Sequence, residues 1–185
     1  MKTTSTHRSS GFTLIEALIT ISIASVLASI AIPSFSKMIE SNRITSASNE
    51  FLSALMYARS EAAKRSITVS ICGSANGVTC DSPNDYAAGW LIFTDCAEDS
   101  TYNSTTATTC DLDGDGTNDP DLLLRVQQSI KSVSIVGTAA ALDTYSYRFS
   151  GRPPNPASFS VGPEGSGATK IINVARTGRV RLEDY

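Results

Sequence analysis

The sequence predicts an α+β fold, a long N-terminal helix from Phe12 to about Arg65 followed by a head of short antiparallel strands. Three observations carry this. An unbroken apolar run, Phe12–Ile32, comes early in the chain, and apolar residues then recur at spacings of three and four as far as Ala62. After Arg65 the pattern changes to short β-branched and aromatic runs separated by Gly, Pro, Asn and Asp. At 185 residues, less the hydrophobic N-terminus, the chain has room for one soluble domain of ordinary size.

Residues 12–36 read as a membrane span, because about 20 apolar or small residues suffice to cross a bilayer as a helix. Glu16 sits one turn inside that span. A carboxylate in hydrocarbon costs at least about 2.5–3.5 kcal/mol, so its presence calls for a function and a partner. Pro33 ends the apolar run and should kink the helix, since it lacks an N–H and crowds the preceding turn. Over residues 37–65, Ile44, Ala47, Phe51, Leu55, Ala58 and Ala62 mark one apolar face, with Arg43, Glu50, Arg59 and Lys64 between them. This half is expected to pack on a sheet. A helix from Phe12 to Arg65 would span roughly 80 Å at 1.5 Å per residue.

Residues 66–185 form the expected head. Its strands are Ile67–Cys72, Gly89–Asp95, Leu122–Gln128, Val133–Gly137, Tyr145–Ser150, Ala157–Gly162, Lys170–Ala175 and Gly178–Leu182. The segment Cys96–Pro120 is poor in apolar residues and reads as a long surface loop.

Charge is unevenly spread. Basic residues outnumber acids up to Arg65; Ser66–Leu124 holds no Lys or Arg while acids accumulate, and the balance turns basic from Arg125. Four cysteines, Cys72, Cys80, Cys96 and Cys110, follow the apolar segment, and an even count in an exported chain points to disulfides. Pairing in sequence order would close two short loops worth roughly 2–3 kcal/mol each, although three connectivities are open. A zinc site would want close Cys-x-x-Cys pairs, and no such spacing occurs.

The leader "MKTTSTHRSSG", residues 1–11, is polar and mildly basic, and no small-residue cleavage site follows the apolar run. "GFTLIE", Gly11–Glu16, resembles the processing motif of type IV pilins and pseudopilins. The resemblance implies cleavage after Gly11 by prepilin peptidase on the cytoplasmic side and methylation of Phe12 as the new N-terminus. Lys2 and Arg8 suit a cytoplasmic leader. It further implies that residues 12–36 pack into a filament core, where Glu16 faces the amino group of Phe12, its own or a neighbour's. A buried charge is tolerable when paired and costly when its partner is lost. Pro33 stands where pilins commonly carry a proline.

"YARSEAAKRSITVSIC", "GWLIFTD", the acidic Gly-Asp stretch, "LLLRV" and the terminal "RTGRVR" together resemble the GspH/FimT-type minor pilins and pseudopilins over nearly the whole chain. This implies the pilin fold and a subunit held in the inner membrane with its head in the periplasm. From there it would reach the pilus and cell surface, in or near the pilus tip. Its partners would be other minor and major pilins or pseudopilins, prepilin peptidase and the inner-membrane assembly platform. Its roles would be initiating assembly and supporting twitching, adhesion or DNA uptake. The alternative is a minor pseudopilin of a type II secretion system.

Enzymatic chemistry is not expected. The single histidine, His7, lies in the leader, and no nucleophile elbow, phosphate loop or zinc motif occurs. "DLDGDGTND" places Asp111, Asp113, Asp115 and Asp119 at positions 1, 3, 5 and 9 of a calcium-type loop, with Gly116 at the turn. Position 12 holds Leu122 instead of a bidentate acid, so any calcium binding would be weak and extracellular in type, and an Asp/Gly turn is the competing reading. "ARTGRVRLEDY" gathers Arg176, Arg179 and Arg181 around a turn at Gly178. Guanidiniums converging on one face make a phosphate-binding surface, and on a strand Arg179 and Arg181 share a face. In FimT-type minor pilins of transformable bacteria an arginine motif of this form binds DNA, so the resemblance implies DNA as a partner through these three residues. The competing reading is that these arginines pair with acids on the head or on neighbouring subunits. Aromatics for base stacking are sparse near the motif, so the contact would be phosphate-led.

Overall fold

A computed structural model describes residues 12–82, 84–105, 110–138, 141 and 143–185, with backbone alone at Pro33. Helix α1 spans Leu14–Arg65 and runs through position 33. Eight strands follow, β1 (Val69–Gly73), β2 (Trp90–Thr94), β3 (Leu123–Gln127), β4 (Val133–Gly137), β5 (Thr144–Tyr147), β6 (Ala157–Pro163), β7 (Lys170–Val174) and β8 (Val180–Asp184), with a 3-10 turn at Tyr86–Ala88. Contacts divide the chain into two compact units at Ser41/Asn42.

In the first unit, Thr13 caps α1. Its hydroxyl accepts the Glu16 N–H at 3.3 Å and its carbonyl the Ala17 N–H at 3.2 Å, the usual way a hydroxyl satisfies an orphan donor of the first turn. Glu16 therefore lies in that first turn, where the helix dipole favours a carboxylate. An 18-residue window of this half has mean hydropathy 2.2 and none of it is buried, enough by length and composition to cross a membrane.

In the second unit, the expected apolar face is the buried one. Ile44, Ala47, Phe51, Leu55, Ala58 and Ala62 are all 4% exposed or less. They meet two sheets, where the sequence suggested one. The orders are β3-β2-β1-β5 and β4-β6-β7-β8, every pair antiparallel. The physical reason is the pairing. β5 returns to pair with β1, whereas β4 pairs with β6, so consecutive strands part company. Phe51 stands where the layers join, with ring centroids 5.1 Å from Tyr86, 5.2 Å from Trp90 of the first sheet and 4.9 Å from Phe159 of the second.

β1 and β2 are buried on both faces. The outer face packs Cys72, Leu91 and Phe93 against Tyr102 and Leu123, so the expected surface loop is in part a cover for the sheet. Two buried aspartates hold its ends. Asp95 accepts the Ser70 hydroxyl at 2.7 Å and the N–H groups of Asp99 and Ser100 at 3.1 Å. Asp121 accepts Cys96 N–H at 3.1 Å and Asn103 N–H at 2.8 Å. The disulfides are Cys72–Cys80 and Cys96–Cys110, with Cα separations of 5.6 and 5.4 Å.

Candidate functional site

The C-terminal arginines sit on the β7–β8 hairpin. Gly178 N–H donates to Ala175 O at 2.8 Å and Ala175 N–H to Arg179 O at 2.9 Å, closing the turn. Gly178 has φ +78°, and a Cβ there would collide with the Gly151 carbonyl oxygen, so the position is reserved for glycine on two grounds. This left-handed residue also explains why β8 starts at Val180, two residues beyond the expected Gly178.

Arg59 of α1 fixes the hairpin to the rest of the head. Its Nε donates to Gly151 O at 3.0 Å and its Nη2 to Thr177 O at 3.1 Å. A planar fork can hold two carbonyls of separate segments at once, which a lysine cannot do as well. The sequence shows Arg59 only as a charge between apolar helix positions. The contact spans 92 and 118 residues and leaves no local signal.

Arg176, Arg179 and Arg181 are exposed, and none of their guanidiniums has a hydrogen-bond or ion-pair partner among the described residues. Two acids follow them on β8, and Glu183 shares the concavity that Arg179 and Arg181 line. Glu183 accepts from Asn173 at 3.0 Å and Asp184 pairs with Lys170 at 2.5 Å. Arg179 and Arg181 line one concavity of about 610 Å³ with Ser158, Asn173 and Glu183, as strand alternation expects. Arg176 occupies the turn tip outside that lining. The geometry offers exposed guanidiniums, none in an ion pair among the described residues, on a hairpin clamped by Arg59 and able to meet phosphate oxygens.

The acidic loop gathers a smaller set than the sequence suggests. Oxygens of Asp111, Asp113 and Asp115 lie within 4.8 Å of one another, all three exposed. Asp119 instead accepts the Leu112 N–H at 2.8 Å. Donation from Gly116 and Gly114 N–H holds the Asp111 carboxyl below its ordinary range, and Asp115 is lowered first by the Thr117 hydroxyl and then by its N–H. Three oxygens at this spacing suit a hard cation, and the same turns are closed by backbone donors with no ion required. At the other end of the chain Phe12 is 80% exposed, while the cleavage position Gly11 and the leader with His7 lie outside the described residues.

A family model described as type II transport protein GspH matches residues 47–178. The chain belongs to the GspH family. The prokaryotic N-terminal methylation motif matches residues 6–32, the segment that holds Gly11, Phe12 and Glu16. Among solved structures, the type IV minor pilin FimU of Pseudomonas aeruginosa is similar with TM-score 0.55 and 20% identity, over 79% of this chain and 92% of that one. This likeness shows the fold, one long helix on antiparallel sheets. The minor pseudopilin EpsH of the Vibrio cholerae type II secretion system aligns with TM-score 0.49 and 10% identity, over 79% of this chain and 98% of that one. No curated protein matches the chain. The GspH match ends at Gly178, so Arg179 and Arg181 fall just beyond it and Arg176 just within.

Proposed function

We propose that this GspH-family chain is a minor type IV pilin that carries a DNA-binding hairpin. In this reading prepilin peptidase cuts after Gly11, Phe12 becomes the methylated N-terminus, and the helix holds the subunit in the inner membrane with its head in the periplasm. The assembly platform then draws it into or near the tip of a pilus, beside other minor and major pilins. Glu16 pairs with the amino group that processing creates at Phe12. Arg176, Arg179 and Arg181 take up DNA phosphates during natural transformation. One observation carries the DNA part, namely three exposed arginines without acidic partners among the described residues, on a turn clamped by Arg59.

Three phosphate contacts predict that log affinity for duplex DNA falls with log salt at a slope of roughly −2 to −3. The measurement is a salt titration of the full chain in detergent. A flat response, or a pair of variants Arg179→Ala and Arg181→Ala that bind like the parent, would reject DNA binding. The second reading, a minor pseudopilin of a type II secretion system, is favoured by the description of the matched family itself. A deletion strain scored for piliation, transformation and secretion separates the two. Loss of secretion with intact pili would make the second reading the right one.

A further inference from the structure

The arginine turn has a twin. The sequence Arg148–Arg152 reads RFSGR and Ala175–Arg179 reads ARTGR. In the first, Gly151 N–H donates to Arg148 O at 2.7 Å and Arg148 N–H to Arg152 O at 3.0 Å, the same two bonds, in the same places, as in the second. Both turns end on a left-handed glycine, with φ +68° at Gly151 and +78° at Gly178. Each gives one carbonyl to the Arg59 guanidinium. They are in contact, since Gly178 has no room for a Cβ beside the Gly151 oxygen. Matching the turns position by position, Arg152 corresponds to Arg179 and Phe149 to Arg176.

Phe149 is 62% exposed at the tip of its turn and is no part of the core. Single exposed apolar residues are common and by themselves say little. Here the exposed ring sits on a turn held by two backbone hydrogen bonds and by Arg59, in contact with a second turn bearing exposed arginines, and its own turn adds Arg152, also exposed and with no side-chain partner among the described residues. Arg148 looks elsewhere, lining a pocket with Asp95 and Glu98, and is left out of the patch.

We propose that the two turns form one site for single-stranded DNA, in which Arg152, Arg176 and Arg179 meet phosphates and the Phe149 ring stacks on an unpaired base. This rests on the DNA reading above and refines its ligand. A duplex keeps its base faces inside the stack, so it can use the arginines but not the ring, whereas a single strand can use both. Aromatic platforms among basic groups are the general means of holding single strands without regard to sequence.

The test uses the full chain in detergent, with an oligothymidine and a duplex of equal length at one salt concentration. Phe149→Ala is expected to weaken the single strand about 5- to 150-fold, the range of one lost stacking contact, and to leave the duplex unchanged. Phe149→Trp is expected to retain single-strand binding. Because the only native tryptophan, Trp90, is 1% exposed, the new indole would report the single strand by fluorescence quenching. If Phe149→Ala binds the single strand like the parent while Arg179→Ala weakens both forms, stacking is wrong and the DNA reading stands. Equal loss for both forms also overturns stacking. If the parent binds neither form, both ideas fall.

Discussion

The two halves of α1 share one backbone and meet opposite environments. From Leu14 to Ile39 the large apolar side chains point in every direction and are 52–79% exposed; from Ile44 to Ala62 a stripe through Ile44, Phe51 and Leu55 is buried, with Leu52 and Tyr57 half-buried beside it and Met56 exposed. A helix apolar all round has no solution within its own chain and requires lipid or other helices. A striped helix can be satisfied internally, and here two sheets do so. The comparison teaches that the stability of residues 42–185 and the destination of the chain are encoded in different turns of the same helix. Substitutions should therefore separate them.

The largest effect belongs to Phe51, which joins helix and both sheets through its contacts with Trp90 and Phe159. Phe51→Ala is expected to destabilise the head by about 3–5 kcal/mol, the usual cost of a deleted core aromatic with its cavity. The equivalent change at Ile23, 57% exposed, should leave that stability unaltered. Denaturant unfolding followed by Trp90 fluorescence measures both. A large loss from Ile23→Ala would break the comparison.

Patterns that repeat along the chain were legible in the sequence. The striped half of α1, all eight strands and the disulfide candidates follow from period, turn residues and cysteine count. Contacts between distant segments were not. Strand spacing cannot say that β5 pairs with β1 while β4 pairs with β6, so one sheet was expected where two exist. Of the three possible cysteine pairings, the sequence-ordered one is found. Asp95 and Asp121 read as two more charges in an acidic stretch, yet they are buried anchors of the loop, and Arg59 read as a surface charge. Each gains its role from partners folded onto it, N–H and hydroxyl donors for the aspartates and carbonyl acceptors for Arg59. The arginine hairpin was visible as residues, but the aromatic beside it was not, because Phe149 lies 27 or more positions upstream in sequence.

An intermediate effect is expected at Asp95. Asp95→Ala would leave the N–H groups of Asp99 and Ser100 without this acceptor, and a buried unsatisfied donor costs about 1–3 kcal/mol. The same carboxyl has a pH signature. Burial pushes Asp95 and Asp121 above the ordinary value of 3.8, against the pull of their hydrogen bonds. The folded chain then holds these protons more tightly than the unfolded one. Their contribution to stability is fully present below 3.8 and is lost as pH rises through the raised values. Exposed Asp111 and Asp115 are lowered and run the other way, contributing above 3.8 and losing that contribution as pH falls. Unfolding free energy measured across this window should slope less steeply in Asp95→Asn than in the parent. An unchanged slope would remove Asp95 as its source.

The smallest effect on the head, and the largest on assembly, is expected at Glu16. The core cluster runs from Ile44 to Val174 and takes nothing from the first unit, so Glu16→Ala should alter head stability by no more than about 0.5 kcal/mol, as surface changes do. Local helix structure should survive as well. The Thr13 cap uses the backbone N–H of residue 16, which alanine keeps, and only the favourable carboxylate–dipole interaction is lost, about 0.3–1 kcal/mol. Under the proposed processing, what alanine could not supply is a charge to meet the new amino group of Phe12. Glu16→Gln, isosteric but neutral, should fail in the same way if charge pairing is the requirement, and should succeed if a hydrogen bond or mere bulk is enough. Comparing the fraction of each variant recovered in sheared fibres with the fraction left in the membrane decides the point. Parent-like entry of Glu16→Ala into fibres would show that the apolar surface alone directs the subunit out of lipid.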